Sequence, residues 1–158
     1  CLPLKICITL FLSKLSYAIL VWGTTTASNY NKLIVLQKRS LRMLEDYKGD
    51  YRNLRTEPLF LKHHMLRANQ IYYFKLLQLI HRNRSYLTPE SELTPAYDIR
   101  RPKRKVPIIR TNYGRQNLAF QTATILNRDL LELNFAVSIS QFKRDCKTNL
   151  LCSALSFC

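Results

Sequence analysis

Hydrophobic positions recur at steps of three and four along most of the chain, the period of an α-helix resting one face on a core. Leu4, Ile8, Phe11, Leu15, Ala18 and Trp22 form one such face, so a helix is expected from Leu4 to Trp22, ended by Gly23 and the threonines that follow. A second helix is expected to start near Ser28 or Asn29, either of which has a capping side chain. Projected at about 100° per residue, Leu33, Ile34, Leu36, Leu41, Met43 and Leu44 fill one half of its wheel. Lys32, Lys38, Arg39 and Arg42 cluster on the opposite half, and Val35 alone is out of place. Asp46 to Pro58 reads as a polar loop, and Leu61 to Arg84 as a long third helix burying Leu61, Met65, Ala68, Tyr72, Leu76 and Leu79. Ser85 to Tyr97 has two prolines and no period, and is expected to be a linker. Helix returns from about Asn117 to Leu133. A last helix from about Ser140 to Leu151 has Phe142, Cys146 and Leu150 on one face, with Ser138 or Ser140 as its cap.

These elements predict an all-α fold of about five helices. Three N-terminal helices pack through Leu15, Trp22, Leu36, Met43, Met65 and Tyr72, and two C-terminal helices follow an extended basic linker. The expected organisation is a helical region over residues 1–84, a proline-containing basic linker over 85–116 and a C-terminal helical region over 117–158. With 47% hydrophobic residues the chain can form a core, and its three glycines favour helix over sheet. It begins at Cys1 and not at methionine, which is read here as a fragment of a longer product.

Charge changes the picture most. Twenty-five Lys and Arg stand against ten Asp and Glu, a net charge of +15. Such an excess attracts polyanions, with nucleic acid the first partner to consider and an anionic membrane surface the second. From Ile99 to Arg128 inclusive there are eight basic residues and no acidic one. In the first part of that stretch, Pro102 and Pro107 remove backbone donors, so Arg100, Arg101, Lys103, Arg104 and Lys105 are expected on an extended strap and not on a helix. Such a strap can follow phosphates without reading sequence, with Arg110 adding charge and Tyr97 and Tyr113 available to stack on bases. Lys32, Lys38, Arg39 and Arg42 are the second candidate for backbone contact. The plain alternative for both is an ordinary solvated surface. Pro102 to Val106 also matches a nuclear localisation pattern, and the expected location is intracellular, nuclear or cytoplasmic.

Other chemistry finds little support. The five cysteines are odd in number and widely spaced, with no CxxC, so they read as reduced small hydrophobes and not as a disulfide frame or zinc site. His63 and His64 are adjacent and would face apart on a helix, with His81 far along the same expected helix, and no HExxH pattern accompanies them. Three glycines cannot build a phosphate-cradling loop, and no hydrophobic strand carries the paired aspartates of a two-metal polymerase. No catalytic residue, metal, cofactor or small-molecule substrate is therefore expected. Leu4 to Trp22 is apolar but broken by Lys5 and Lys14, which suits a core helix better than a membrane span.

Five strings occur in order: Ser16-Tyr17-Ala18-Ile19-Leu20-Val21-Trp22-Gly23, Leu36-Gln37-Lys38-Arg39 with Arg42, Pro58-Leu59-Phe60, Arg110-Thr111-Asn112-Tyr113-Gly114, and Ser140-Gln141-Phe142-Lys143-Arg144. As an ordered set covering nearly the whole chain, they resemble the C-terminal region of non-LTR (LINE-type) retrotransposon reverse transcriptases, downstream of the palm. Thr122-Ala123 and Leu126-Asn127 stand where many relatives carry Gly-Pro and Trp-Asn, and only Asn127 agrees with that pattern. The resemblance implies a thumb-like and post-thumb fragment of a transposon-encoded RNA-directed DNA polymerase, whose catalytic aspartates lie upstream. It also implies contact with RNA or DNA and with the polymerase core of the same polyprotein. The alternatives are a translated transposon remnant without function and a basic membrane-surface protein using Leu4 to Trp22.

Overall fold

The computed structural model describes residues 2–45, 49, 54–87, 106–111, 113–128 and 133–152, with the side chains of residues 2–8 left out. Every regular element among them is helical, so the fold is all-α. In chain order these are α1 (Leu2–Ser16), α2 (Ile19–Trp22), α3 (Ala27–Leu44), α4 (Glu57–Lys62), α5 (Ala68–Arg82), α6 (Leu118–Leu126) and α7 (Ile139–Cys152). Short 3₁₀ turns lie at Arg84–Leu87 and Gly114–Gln116.

The single helix expected over Leu4 to Trp22 breaks at Tyr17 and Ala18. Ala18 adopts the left-handed conformation with φ 48°, which turns the chain from α1 into the one-turn α2. The Trp22 indole Nε1–H then donates to the Tyr17 carbonyl at 2.7 Å, supplying a partner for a group left over at the end of α1. Leu15 and Ile19 are buried, Phe11 and Trp22 are half-buried, and Ala18 is exposed.

Gly23 is needed for close approach and not for its φ of −73°. A Cβ there would lie 2.3 Å from the Ile19 carbonyl oxygen and 2.4 Å from the Tyr72 ring, while its own carbonyl accepts the Tyr30 hydroxyl. Burial pushes the Tyr72 phenol up to about 12 and raises Tyr30 as well, so both rings serve as neutral packing groups. α3 begins at Ala27, one residue before the expected caps, and its N-cap Thr26 makes no side-chain capping bond.

The expected third helix is two helices. Pro58, read as loop, sits in the first turn of α4, where its missing N–H costs nothing. α4 stops at His63, and His64 takes the left-handed conformation with φ 48°. The His64 N–H donates to the Leu61 carbonyl and the Met65 N–H to the Phe60 carbonyl, which is the Schellman termination with histidine where glycine is usual. Its hydrophobic partners are Met65 and Phe60, both buried in a cluster with Leu41 and Leu59, against which Leu12, Leu44 and Leu54 pack. Leu61, placed on the buried side by its period, is exposed.

The chain divides into two compact units, Cys1–Lys75 with Cys146–Cys158, and Leu76–Asp145. Both α5 and α7 contribute residues to each. In the first unit, Gln37 is fully buried in the middle of α3's inward arc. Its Nε2 donates to the Leu66 carbonyl at 3.0 Å and its Oε1 accepts the Ala68 N–H at 2.8 Å, at the start of α5. Gln70 reaches back so that its Oε1 accepts the Arg67 N–H at 3.0 Å, while its Nε2 donates to the Leu150 carbonyl at 2.7 Å. Two glutamines thus satisfy the backbone around the start of α5 without any Ser, Thr, Asp or Asn at the cap itself.

In the second unit, Leu76, Leu77, Ile80, Ala123, Ile125 and Phe142 are buried. The buried His81 Nε2–H donates to the Val137 carbonyl at 2.8 Å, and its ring lies 4.5 Å from that of Phe142, which in turn lies 5.1 Å from Phe135. Asn117 caps α6 by accepting the Ala119 N–H at 2.9 Å. Before it, a Cβ on Gly114 would meet the Ile109 methyl at 2.3 Å, so glycine lets the chain close over Ile109. Ser138 accepts the Gln141 N–H at 3.4 Å at the start of α7, whose Phe142, Cys146 and Leu150 are all buried as their spacing predicts.

Candidate nucleic-acid interface

α3 sets up the first cationic surface. Its inward arc is centred on Gln37, with Leu41 buried and Leu33, Ile34 and Leu44 half-buried. The opposite side carries Lys32 and Arg39 into solvent. Two of the four expected cations are placed differently. Lys38 is half-buried and its Nζ lies 3.5 Å from Glu57 Oε1, and Arg42 is also half-buried. The Glu57 carboxyl is held below its ordinary range, first by its own backbone N–H and then by Lys38.

The expected apolar half of α3 also needs correction. Leu36 is 44% exposed and Met43 62% exposed, so neither packs the three N-terminal helices together. The reason is the position of the buried arc. Once Gln37 points inward, Leu36 and Met43 lie about 100° to 120° round the helix, beside Lys32 and Arg39. The outer surface is therefore mixed, basic residues alternating with Val35, Leu36 and Met43.

The other candidates fall elsewhere. Arg110 and Tyr113 are exposed in the second unit, Tyr113 to 84%, next to the turn that Gly114 closes. Arg100, Arg101, Lys103, Arg104 and Lys105 of the basic strap lie outside the described residues, as does Tyr97. The histidines are not grouped. His63 and His64 occupy the turn after α4 and not a helix, His81 is buried in the second unit, and His63 Nε2 lies 2.6 Å from Glu45 Oε1. Lys62 Nζ lies 2.7 Å from the other Glu45 oxygen, and these two partners hold the Glu45 carboxyl below its ordinary range.

The charge balance around these positions is lopsided. Among the described residues Glu45, Glu57 and Asp145 are the carboxylates, against seventeen Lys and Arg side chains. Over the whole chain, pairing every one of the ten carboxylates would still leave fifteen cations.

Reading the sequence did not anticipate a cavity of about 550 Å³ formed by residues of α1, α2 and α3 and the turn between the last two. Phe11, Leu15, Trp22 and Leu33 give it apolar walls. Lys14 and Lys32 add two ammonium groups, and Thr25 and Asn29 two polar side chains, the Asn29 amide donating to the Thr25 hydroxyl at 2.7 Å. Lys14 and Lys32 are exposed, and among the described residues neither joins an ion pair. The sequence hint was the placement of Lys14 between Phe11 and Leu15.

Among the described residues no three His, Cys, Asp or Glu side chains group as metal ligands, and no helix is long and apolar enough to cross a membrane. Cys146 and Cys152 are both free thiols, Cys146 buried and Cys152 exposed. No protein-family model, curated protein or solved structure matches this chain.

Proposed function

We propose that this chain is a non-catalytic C-terminal part of a transposon-encoded reverse transcriptase that holds the sugar-phosphate backbone of RNA or DNA. The family part of the reading rests on the ordered set of five strings, from Trp22-Gly23 to Ser140-Gln141-Phe142-Lys143-Arg144. The binding part rests on one observation above the others: α3 turns Gln37 and Leu41 inward and holds Lys32 and Arg39 in solvent, on a chain with fifteen more cations than carboxylates. Phosphate contact by such side chains releases condensed counterions, which supplies affinity without sequence preference.

In this reading Lys32 and Arg39 touch phosphates directly, Arg110 and Tyr113 form a second contact, and the strap from Arg100 to Lys105 adds charge between them in the sequence. Lys38 steadies α4 through Glu57 and contributes less. The upstream polymerase core supplies the chemistry.

Anisotropy with a labelled duplex at several salt concentrations tests the proposal. The logarithm of the association constant should fall linearly with the logarithm of salt, by about 0.9 per phosphate neutralised. The double substitution Lys32→Gln, Arg39→Gln should make that slope shallower by roughly two contacts' worth. Salt-independent binding, or no binding to any polyanion, overturns the reading.

A further inference from the structure

The cavity between α1 and α3 carries more information than the surface charge does. A duplex backbone needs only cations on a convex surface. This site adds concave apolar walls, two of them aromatic, beside those cations. We infer that it admits one unpaired nucleobase of a single strand, stacked among Phe11, Trp22 and Leu33, with the flanking phosphates on Lys14 and Lys32. The inference rests on the backbone-binding reading and names the form of nucleic acid that it favours.

Three features suit that occupant. The Trp22 indole spends its one donor on the Tyr17 carbonyl at 2.7 Å, which fixes the ring and leaves its π-face as what it can offer a ligand. Aromatic faces stack on any base, which gives affinity without sequence choice. Asn29 donates to Thr25 at 2.7 Å and keeps its amide oxygen as an acceptor, a match for a base amino group. Lys14 and Lys32 complement the phosphates on either side, and among the described residues no carboxylate pairs with them. Beyond the cavity, Leu36, Arg39 and Met43 continue the same mixture of apolar and basic groups along α3.

Trp22 is the single tryptophan of the chain, so its fluorescence reports on this cavity alone. The full chain is titrated at low salt with a single-stranded 12-mer, a blunt duplex of equal length, an abasic 12-mer and anionic phospholipid vesicles. Binding is followed by anisotropy and Trp22 emission together. The single strand should quench Trp22, and the abasic strand and the duplex should bind while quenching it far less. Phe11→Ala, with its helical circular dichroism intact, should weaken single-strand binding about tenfold. Lys32→Gln should weaken it while leaving the depth of quenching at saturation unaltered. If the single strand binds as tightly as before but leaves Trp22 emission unchanged, the base is not in the cavity and only the surface reading survives. If nothing anionic binds, both readings fall. Quenching by vesicles alone assigns the cavity to a lipid anion and overturns the inference.

Discussion

Gln37 and Ala68 are joined by a buried hydrogen bond of 2.8 Å across thirty-one residues of sequence, the side-chain oxygen of one accepting the backbone N–H of the other. The same carboxamide donates to the Leu66 carbonyl at 3.0 Å. Gln37→Ala removes both and strands a donor and an acceptor in the interior, which should cost about 2–4 kcal/mol. Gln37→Glu keeps the volume but loses the donor and buries a charge, so it should be no milder. Urea unfolding measures this. A loss below about 0.5 kcal/mol would show that water replaces the carboxamide freely.

Histidine in the left-handed conformation at position 64 strains the end of α4. His64→Gly removes the Cβ penalty while keeping the two backbone bonds of the Schellman turn, and should raise stability by about 0.5–1 kcal/mol. The urea midpoint should rise with an unchanged slope. A lower midpoint would mean that the imidazole makes a contact worth more than the strain.

Glu45 links stability to acid. Its carboxyl is held below the ordinary range by Lys62 and His63. The folded state therefore binds this proton less readily than the unfolded state does. The stabilisation is fully present above the unfolded carboxyl value, about 4.3, and is lost as the pH falls through the lower folded value. Thermal melts from pH 7 to pH 3 should show Glu45→Gln losing less stability over the acid half of that range than the parent chain. Because the side chain keeps 21% of its surface in water, the effect should shrink in high salt.

Cys146 and Cys152 should differ sharply towards thiol reagents. Burial pushes the Cys146 thiol up to about 12, so little thiolate exists near neutral pH, and the sulfur is enclosed. Cys152 is exposed. Brief iodoacetamide treatment of the folded chain, followed by tryptic mapping, should label Cys152 and spare Cys146, and urea should open both. Lys147 lies between the two and separates them into different peptides.

Gly23→Ala should destabilise by about 1–3 kcal/mol or more, since the new methyl meets the Ile19 carbonyl and the Tyr72 ring. Tyr72→Leu makes room on one side. The cycle of both substitutions should give a smaller loss than the sum of the singles. Strict additivity would show that the backbone contact alone sets the cost.

How far the pattern of residues reveals this molecule depends on the element. Phe142, Cys146 and Leu150 were legible because nothing competes with a simple apolar stripe. Ser138 was legible as a cap, since a short polar side chain before an apolar run has a local reason to bond the backbone, whereas Asn117 was read only as the start of its helix. The breaks at Ala18 and His64 were not. Neither residue favours left-handed backbone, and tertiary packing of Ile19 and of Met65 with Phe60 imposes it. Gln37 illustrates the opposite problem. It lies at the centre of the arc formed by Leu33, Ile34, Leu41 and Leu44, yet polarity alone argues for solvent, and its true partners are about thirty residues away. That one misplaced side chain sent Leu36 and Met43 to the wrong side of α3. The cavity beside Trp22 left only the hint of Lys14 between Phe11 and Leu15, because its shape depends on how the break at Ala18 sets α1, α2 and α3 against one another.

The bond from Gln70 to the Leu150 carbonyl spans eighty residues and ties the end of α7 to the start of α5 within the first unit. During synthesis, the unit that holds Gln70 must therefore wait for α7 to leave the ribosome before it can close, whereas Leu76–Asp145 has all its residues earlier. A nascent chain arrested at residue 145 would carry Gln70 without its acceptor and lack Cys146 and Leu150, so chaperones should engage the older half of the polypeptide longer than the younger one.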